Sequence, residues 1–122
     1  MGESKSLIKH LYDIAKGNLK TVTKSITSSD FTAIATPSSG KRIVLIGLIL
    51  SPVATGANGY MDVSWFVGET ETPIFVNLNN SLLVKPIVLD FSSAPIYGPE
   101  DGILEMNIAN STVYVNAFYV EV

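Results

Sequence analysis

The residues that could perform chemistry are few and lie far apart along the chain. His10 is the single histidine, and the chain contains no cysteine. A nucleophilic centre built on histidine needs an orienting acid and a nucleophile within hydrogen-bond reach, and the sequence around His10 signals neither. Without cysteine there are no disulfides, no thiol nucleophile and no zinc–thiolate site. We therefore expect His10 to be a solvated side chain.

A Gly-Lys pair at Gly40-Lys41 invites comparison with a phosphate-binding loop. That motif requires a glycine five residues upstream and a serine or threonine directly after the lysine. Here the two positions hold Ala35 and Arg42. The segment is therefore interpreted as a turn glycine followed by the charged beginning of a strand.

Three acidic residues, Asp90, Glu100 and Asp101, flank a stretch rich in proline and glycine. Such carboxylates could ligate Ca²⁺, or two of them could serve the hydrolysis of a glycosidic bond. No motif for either chemistry surrounds them, and solvated loop charges are the simpler interpretation. The sequence thus predicts a protein that is not an enzyme and that uses neither a metal nor a cofactor.

Composition favours a protein that hides apolar surface in a partner. The chain has 122 residues, of which 47% are hydrophobic and only 16% are charged, against about a quarter charged in an average domain. This length fits one domain. So few charges on a small chain favour homo-oligomerisation.

Charge is distributed unevenly. Residues 1–24 carry a net charge of +3 and the remainder carries −6, so a mildly basic arm precedes an acidic body. An acidic body repels phosphate, and we expect no nucleic-acid partner. No apolar run approaches the roughly 20 residues of a membrane-spanning helix, and we expect no membrane partner.

The first segment has the pattern of an amphipathic helix. Its apolar residues recur at helical spacing, and Gly17-Asn18 is a stop signal; they are Leu7, Ile8, Leu11 and Ile14. We predict a short α-helical arm over residues 1–18, followed by one domain over residues 19–122. A helix of about three turns is marginal alone in water, so it must dock on its own domain or on a neighbour.

In the rest of the chain, polar and apolar residues alternate as they do in β-strands. Short apolar or alternating runs recur with turn signals every eight to twelve residues, which predicts an antiparallel, jelly-roll-like β-sandwich of seven or eight strands. Leu104, Met106 and Ile108 are expected to point inward. Asn79-Asn80 suits a tight hairpin between strands at 74–78 and 82–90.

Two of these strands are apolar on both faces. Ile43 to Leu50 contains no polar side chain, and the strand from Thr112 to Val122 has apolar residues at both phases. A sandwich strand that faces water should carry a polar outer row, so something must cover these strands. We predict a subunit interface formed by Ile43, Leu45, Ile49, Tyr114, Phe118 and Val120.

A long segment of the chain resembles a family. In residues 35–51 a Pro37-to-Gly40 turn and the residues Lys41-Arg42-Ile43 lead into an apolar strand ending in Leu50-Ser51. This arrangement resembles a segment of small tailed-phage virion proteins. A strand at 63–68, the run 88–91, the acidic glycine turn 100–102 and the ending 119–122 follow in the expected order, so the resemblance covers residues 33–122.

The resemblance implies a non-enzymatic virion protein of jelly-roll type. Its expected role is head decoration, as a cement protein that oligomerises, as a trimer in the first place, and stabilises the phage capsid. The major capsid protein would then be a partner, and the location would be the capsid surface. The arm residues Leu7, Ile8, Leu11 and Ile14 are expected to contact the capsid or a neighbouring subunit.

An alternative stays open at this point. The same kind of sandwich could be a carbohydrate-binding or receptor-binding module of a phage tail or fibre. That function requires an exposed row of aromatic side chains with amides such as Asn77, Asn79 and Asn80 nearby.

Overall fold

The computed structural model describes residues 18–27, 30–54, 60–78, 86–109 and 111–122. The predicted helical arm, including Leu7, Ile8, Leu11 and Ile14, lies outside these residues, apart from its final position 18. Within them, no helix is present that is long and apolar enough to cross a membrane.

The described chain is built entirely of β-strands in two antiparallel sheets. The larger sheet has the order β1-β9-β3-β6, with β7 also paired to β3, and the smaller has the order β2-β8-β4-β5. The strands are β1 (Lys20–Ile26), β2 (Thr32–Ala35), β3 (Ile43–Ala54), β4 (Tyr60–Val67), β5 (Thr70–Leu78), β6 (Ile87–Asp90), β7 (Ile96–Tyr97), β8 (Ile103–Ala109) and β9 (Ser111–Glu121). The all-β sandwich is confirmed.

The core fills the space between the two sheets. Successive side chains of a strand point to opposite faces, so each strand contributes every second residue. Leu104, Met106 and Ile108 of β8 are buried, as predicted. The other buried members include Ile43, Leu45, Leu48 and Leu50 of β3, Met61, Val63 and Trp65 of β4, and Val113, Val115, Ala117 and Tyr119 of β9.

A β-bulge interrupts the alternation of β3. Leu45 pairs with Tyr119 and Gly47 with Phe118, so Ile46 is one extra residue on the β3 side. A one-residue insertion reverses which face each later side chain points to. Inward positions are therefore odd-numbered before the bulge and even-numbered after it.

This bulge corrects the predicted interface. Ile43 and Leu45 were expected on an outer face, but both are 0% exposed and belong to the core between the sheets. They offer no surface to a partner, and their assignment to a subunit interface is wrong. Ile49 lies after the bulge and does point outward.

Strand pairing also differs from the prediction around residues 74–90. The expected hairpin would pair neighbouring strands, but β5 pairs with β4 in the smaller sheet and β6 pairs with β3 in the larger one. The chain therefore changes sheets between β5 and β6. The stretch between Asp90 and Glu100, rich in proline and glycine, contains the two-residue strand β7.

Gly98 fixes the segment after β7 against the core. Its N–H donates to the Ile43 carbonyl over 2.8 Å. A Cβ atom placed on Gly98 would lie 2.8 Å from Cζ3 of the Trp65 ring, closer than carbon atoms pack. Only glycine lets this backbone lie on the indole.

We predict that Gly98→Ala destabilises the fold by about 1–3 kcal/mol, because the indole or the backbone must shift. Urea unfolding followed by tryptophan fluorescence would measure the loss. Gly68→Asn is the control: Gly68 has φ 59° and no atom within 4 Å of an added Cβ, and asparagine tolerates that backbone. A control as destabilised as Gly98→Ala would contradict the packing argument.

Candidate functional site

Exposed apolar side chains concentrate on the outer face of the larger sheet. Val88 is 67% exposed, Val53 and Tyr114 are 51% exposed, and Tyr97 is 47% exposed. Pairing places Val88 beside Ile49, Tyr114 beside Ser51 and Tyr97 beside Val44. Directly paired residues share a face, so these side chains stand on one surface, called here the assembly face.

A groove crosses the assembly face where β3 bulges. It encloses about 210 Å³ and is lined by Ile46, Gly47, Leu48, Ile49, Val88, Leu89, Asp90 and Phe118. Its lining is apolar apart from Asp90. A Cβ atom on Gly47 would lie 3.3 Å from the Leu89 carbonyl oxygen and 3.8 Å from Cδ2 of Phe118. The missing side chain at Gly47 keeps this part of the face open.

A small apolar cluster adjoins the groove. Val44, Ile46 and Val120 are 0%, 8% and 1% exposed although they lie outside the core between the sheets. Among the described residues, Leu19 and Phe118 are partly buried hydrophobic side chains packed against them. Ile46 and Phe118 belong to both the cluster and the groove, so the two form one continuous apolar surface.

Four of the six predicted interface residues lie on this face. Tyr114 is exposed, Ile49 and Phe118 are half-buried, and Val120 is buried in the adjoining cluster. The sequence prediction missed Val53, Val88 and Tyr97. Val88 could be found only with the knowledge that β6 pairs with β3, since its own strand is four residues long.

The outer face of the smaller sheet is polar by contrast. Asp62 pairs with Asn107 and Ser64 with Glu105 across β4 and β8, and the Ser64 hydroxyl donates to Glu71 Oε2 over 2.8 Å. Burial raises the pKa of Asp62, with a further contribution from the Glu71 charge. Burial likewise raises the pKa of Glu105.

An ion pair at the edge of the larger sheet lowers the pKa of a carboxyl group. Lys20 on β1 pairs with Glu121 on β9, and Glu121 Oε1 accepts the Ser38 N–H over 2.5 Å. The Lys20 hydrogen bond and, to a lesser degree, the Ser38 hydrogen bond lower the pKa of the Glu121 carboxyl.

Asp90 and Asp101, considered above for metal binding or catalysis, accept hydrogen bonds from backbone N–H groups in turns. Asp90 accepts the Ser92 N–H over 2.9 Å, which lowers the pKa of its carboxyl. Asp101 Oδ1 accepts the Gly40 N–H over 2.6 Å. Within the described residues, no group of three or more histidine, aspartate or glutamate side chains could hold a metal ion.

Some of the aromatic side chains, which sugar binding would need on the surface, are buried in the core. Trp65 is 3% exposed and Tyr119 is 7% exposed. Phe31 packs edge-on against Phe66, with ring centroids 4.7 Å apart. An open cleft of about 600 Å³, lined in part by Arg42, Trp65 and Tyr97, lies on the side where β5 and β7 approach each other. Asn79 and Asn80 lie outside the described residues.

No protein-family model and no curated protein matches this chain. The functional argument therefore starts from the assembly face and the groove within it.

Two charge-removing substitutions should change stability in opposite directions. Asp62 has a raised pKa in the fold, so its ionisation costs stability once the pH rises above its ordinary pKa of 3.8. Asp62→Asn should therefore be more stable than the parent at pH 7. Glu121 has a lowered pKa, so its stabilisation is present above its ordinary pKa of 4.5 and is lost as the pH falls. Glu121→Gln should be less stable at pH 7.

Urea midpoints at pH 7 and at about pH 3 would test both signs. Each variant should lie closer to the parent protein at the lower pH, because protonation of the parent carboxyl removes the charge that the substitution removes. Equal effects of either substitution at both pH values would contradict the electrostatic explanation.

Proposed function

We propose that the protein is a non-enzymatic structural subunit that assembles with copies of itself through the assembly face. The observation that carries this proposal is the collection of Val53, Val88, Tyr97 and Tyr114 on one sheet surface. Clustered exposed apolar side chains are typical of interaction sites in soluble proteins; here they share the face with the polar residues Ser51 and Asn116. Leaving them in water costs about 25 cal/mol for each Å² of apolar area that a partner would bury.

The strand orders support a jelly roll. In that fold two Greek keys distribute eight main strands over two four-stranded sheets. The orders β1-β9-β3-β6 and β2-β8-β4-β5 follow this pattern, with β7 as an additional short strand. We infer a jelly-roll sandwich.

The setting we propose is the surface of a phage head. The resemblance of residues 33–122 to small tailed-phage virion proteins supports a decoration, or cement, protein that forms trimers and binds the major capsid protein. The arm residues Leu7, Ile8, Leu11 and Ile14 would supply a second contact, to the capsid or to a neighbouring subunit. Many weak contacts repeated over a particle give strong retention through avidity.

The carbohydrate-binding alternative has less support. It needs an exposed aromatic row; Tyr97 and Tyr114 are exposed, but Trp65 and Tyr119 are almost fully buried in the core. The assembly face also exposes the aliphatic side chains of Val53 and Val88, which sugar binding would not use, and the structural role is therefore preferred.

Replacing exposed apolar residues of the assembly face should weaken self-association. Val88→Asp and Tyr114→Ser each remove apolar contact area, and the first also buries a charge in any interface. We expect each to raise the dissociation constant at least tenfold, or about 1.4 kcal/mol. Sedimentation equilibrium at micromolar concentrations would measure it.

Val67→Asp is the matched control. Val67 is 42% exposed but ends β4 in the smaller sheet, so this variant should associate like the parent. A parent chain that is a monomer at micromolar concentration, or a control that dissociates equally, would overturn assembly through this face.

The virion setting has its own test. Mass spectrometry of purified particles from the source of this chain should find the protein in many copies, and electron cryomicroscopy should show it as trimers on the head. A particle that lacks the protein would contradict the decoration role without affecting the self-association result.

A further inference from the structure

The groove on the assembly face has the dimensions of a site for aliphatic side chains. Its volume of about 210 Å³ is small for a folded partner, and it takes one or two leucine or isoleucine side chains. Its floor at Gly47 lies between Phe118 and the backbone of Leu89. A partner must therefore insert protruding aliphatic groups and cannot rest on the groove as a flat surface.

The described chain begins next to this groove. Leu19 packs against the cluster of Val44, Ile46 and Val120, and Ile46 also lines the groove. Residues 1–17 are therefore attached at the border of the groove. Seventeen residues span about 25 Å as a helix and more if extended, which is more than enough to cross two or three strands spaced about 4.8 Å apart.

The sequence of residues 1–17 matches the chemistry of the groove. Leu7, Ile8, Leu11 and Ile14 recur at a spacing that places them on one side of a helix, and Lys5, Lys9 and Lys16 accompany them. The one polar residue in the lining of the groove is Asp90, whose carboxylate also accepts the Ser92 N–H. Aliphatic side chains for the floor and a lysine for the rim are thus available in one short segment.

We propose that residues 1–17 bind the assembly face of their own chain, with one or two of the side chains of Leu7, Ile8, Leu11 and Ile14 inserted into the groove, so that the free subunit masks part of this face. A segment tethered at Leu19 is present at an effective concentration in the millimolar range, far above that of any second copy in dilute solution. The consequence for assembly rests on the proposed function. A subunit joins its neighbours through Ile49 and Val88 only after the segment has left them.

Cross-linking would identify the occupant. The natural chain has no cysteine, so Asp13→Cys with Val88→Cys provides the only two thiols, one in the segment and one at the rim of the groove. Treatment of dilute protein with a short bis-maleimide should give a cross-linked monomer. In the control pair, Asp13→Cys with Val67→Cys, the second thiol lies on the smaller sheet, and we expect at least tenfold less internal cross-link.

The other outcomes contradict the proposal. A cross-linked dimer as the main product would show that a second copy supplies the segment. Equal internal cross-linking in both pairs, or none in either, would show that the segment does not occupy the groove.

Limited trypsin digestion gives an independent readout. Cleavage after Lys5, Lys9 and Lys16 should be slow in the parent protein and at least tenfold faster in Val88→Lys, because the new charge repels the basic segment and blocks the rim. Val67→Lys should be cleaved at the parent rate. Equal rates in all three proteins would overturn the proposal.

Deletion of residues 1–17 separates this inference from the proposed function. The shortened chain should self-associate at least tenfold more tightly, because its assembly face is no longer masked. Unchanged association that is still weakened by Tyr114→Ser would refute the masking alone. Loss of all association would contradict masking as well, since the segment would then be required for contact.

Discussion

The pairing of β3 with β9 across a one-residue bulge is the constraint on which the rest of the structure depends. The extra residue at Ile46 reverses the facing of every later side chain in β3. Ile43 and Leu45 therefore enter the same core as Leu48 and Leu50, while Val44, Ile46 and Ile49 point outward. One uninterrupted apolar strand thus supplies both the core and the surface on which a partner can pack.

The outer faces of the two sheets differ in polarity, although both sheets share one core. The smaller sheet carries Asp62, Ser64 and Glu105, a polar row in which Ser64 is fully buried. The larger sheet carries Val53, Val88 and Tyr114. This contrast gives the chain one polar outer face and one outer face with exposed apolar side chains.

Strand content could be predicted from the sequence because alternation is a local property. Leu104, Met106 and Ile108 are apolar at every second position, and the structure buries all three. The facing of Ile43 and Leu45 could not be predicted, because an all-apolar run has no alternation that would reveal a bulge.

Which strands pair with each other could not be predicted from the sequence pattern either. The hairpin expected at Asn79-Asn80 assumed that consecutive strands are neighbours, whereas β5 and β6 lie in different sheets. The residues of the candidate site could be predicted only in part for the same reason. Tyr114 and Phe118 belong to a strand with a readable pattern, but Val88 gains its place only through pairing with Ile49.

The position of β9 has a kinetic consequence. This strand, the last of the nine described, pairs with both β1 and β3 at the centre of the larger sheet. Contacts between residues so distant in sequence require the closure of long loops before they contribute energy, and such topologies fold slowly. Until β9 pairs, β1 and the facing edge of β3 keep their hydrogen-bonding groups unsatisfied. A chain in that state exposes strand edges and is more prone to aggregation than the folded chain.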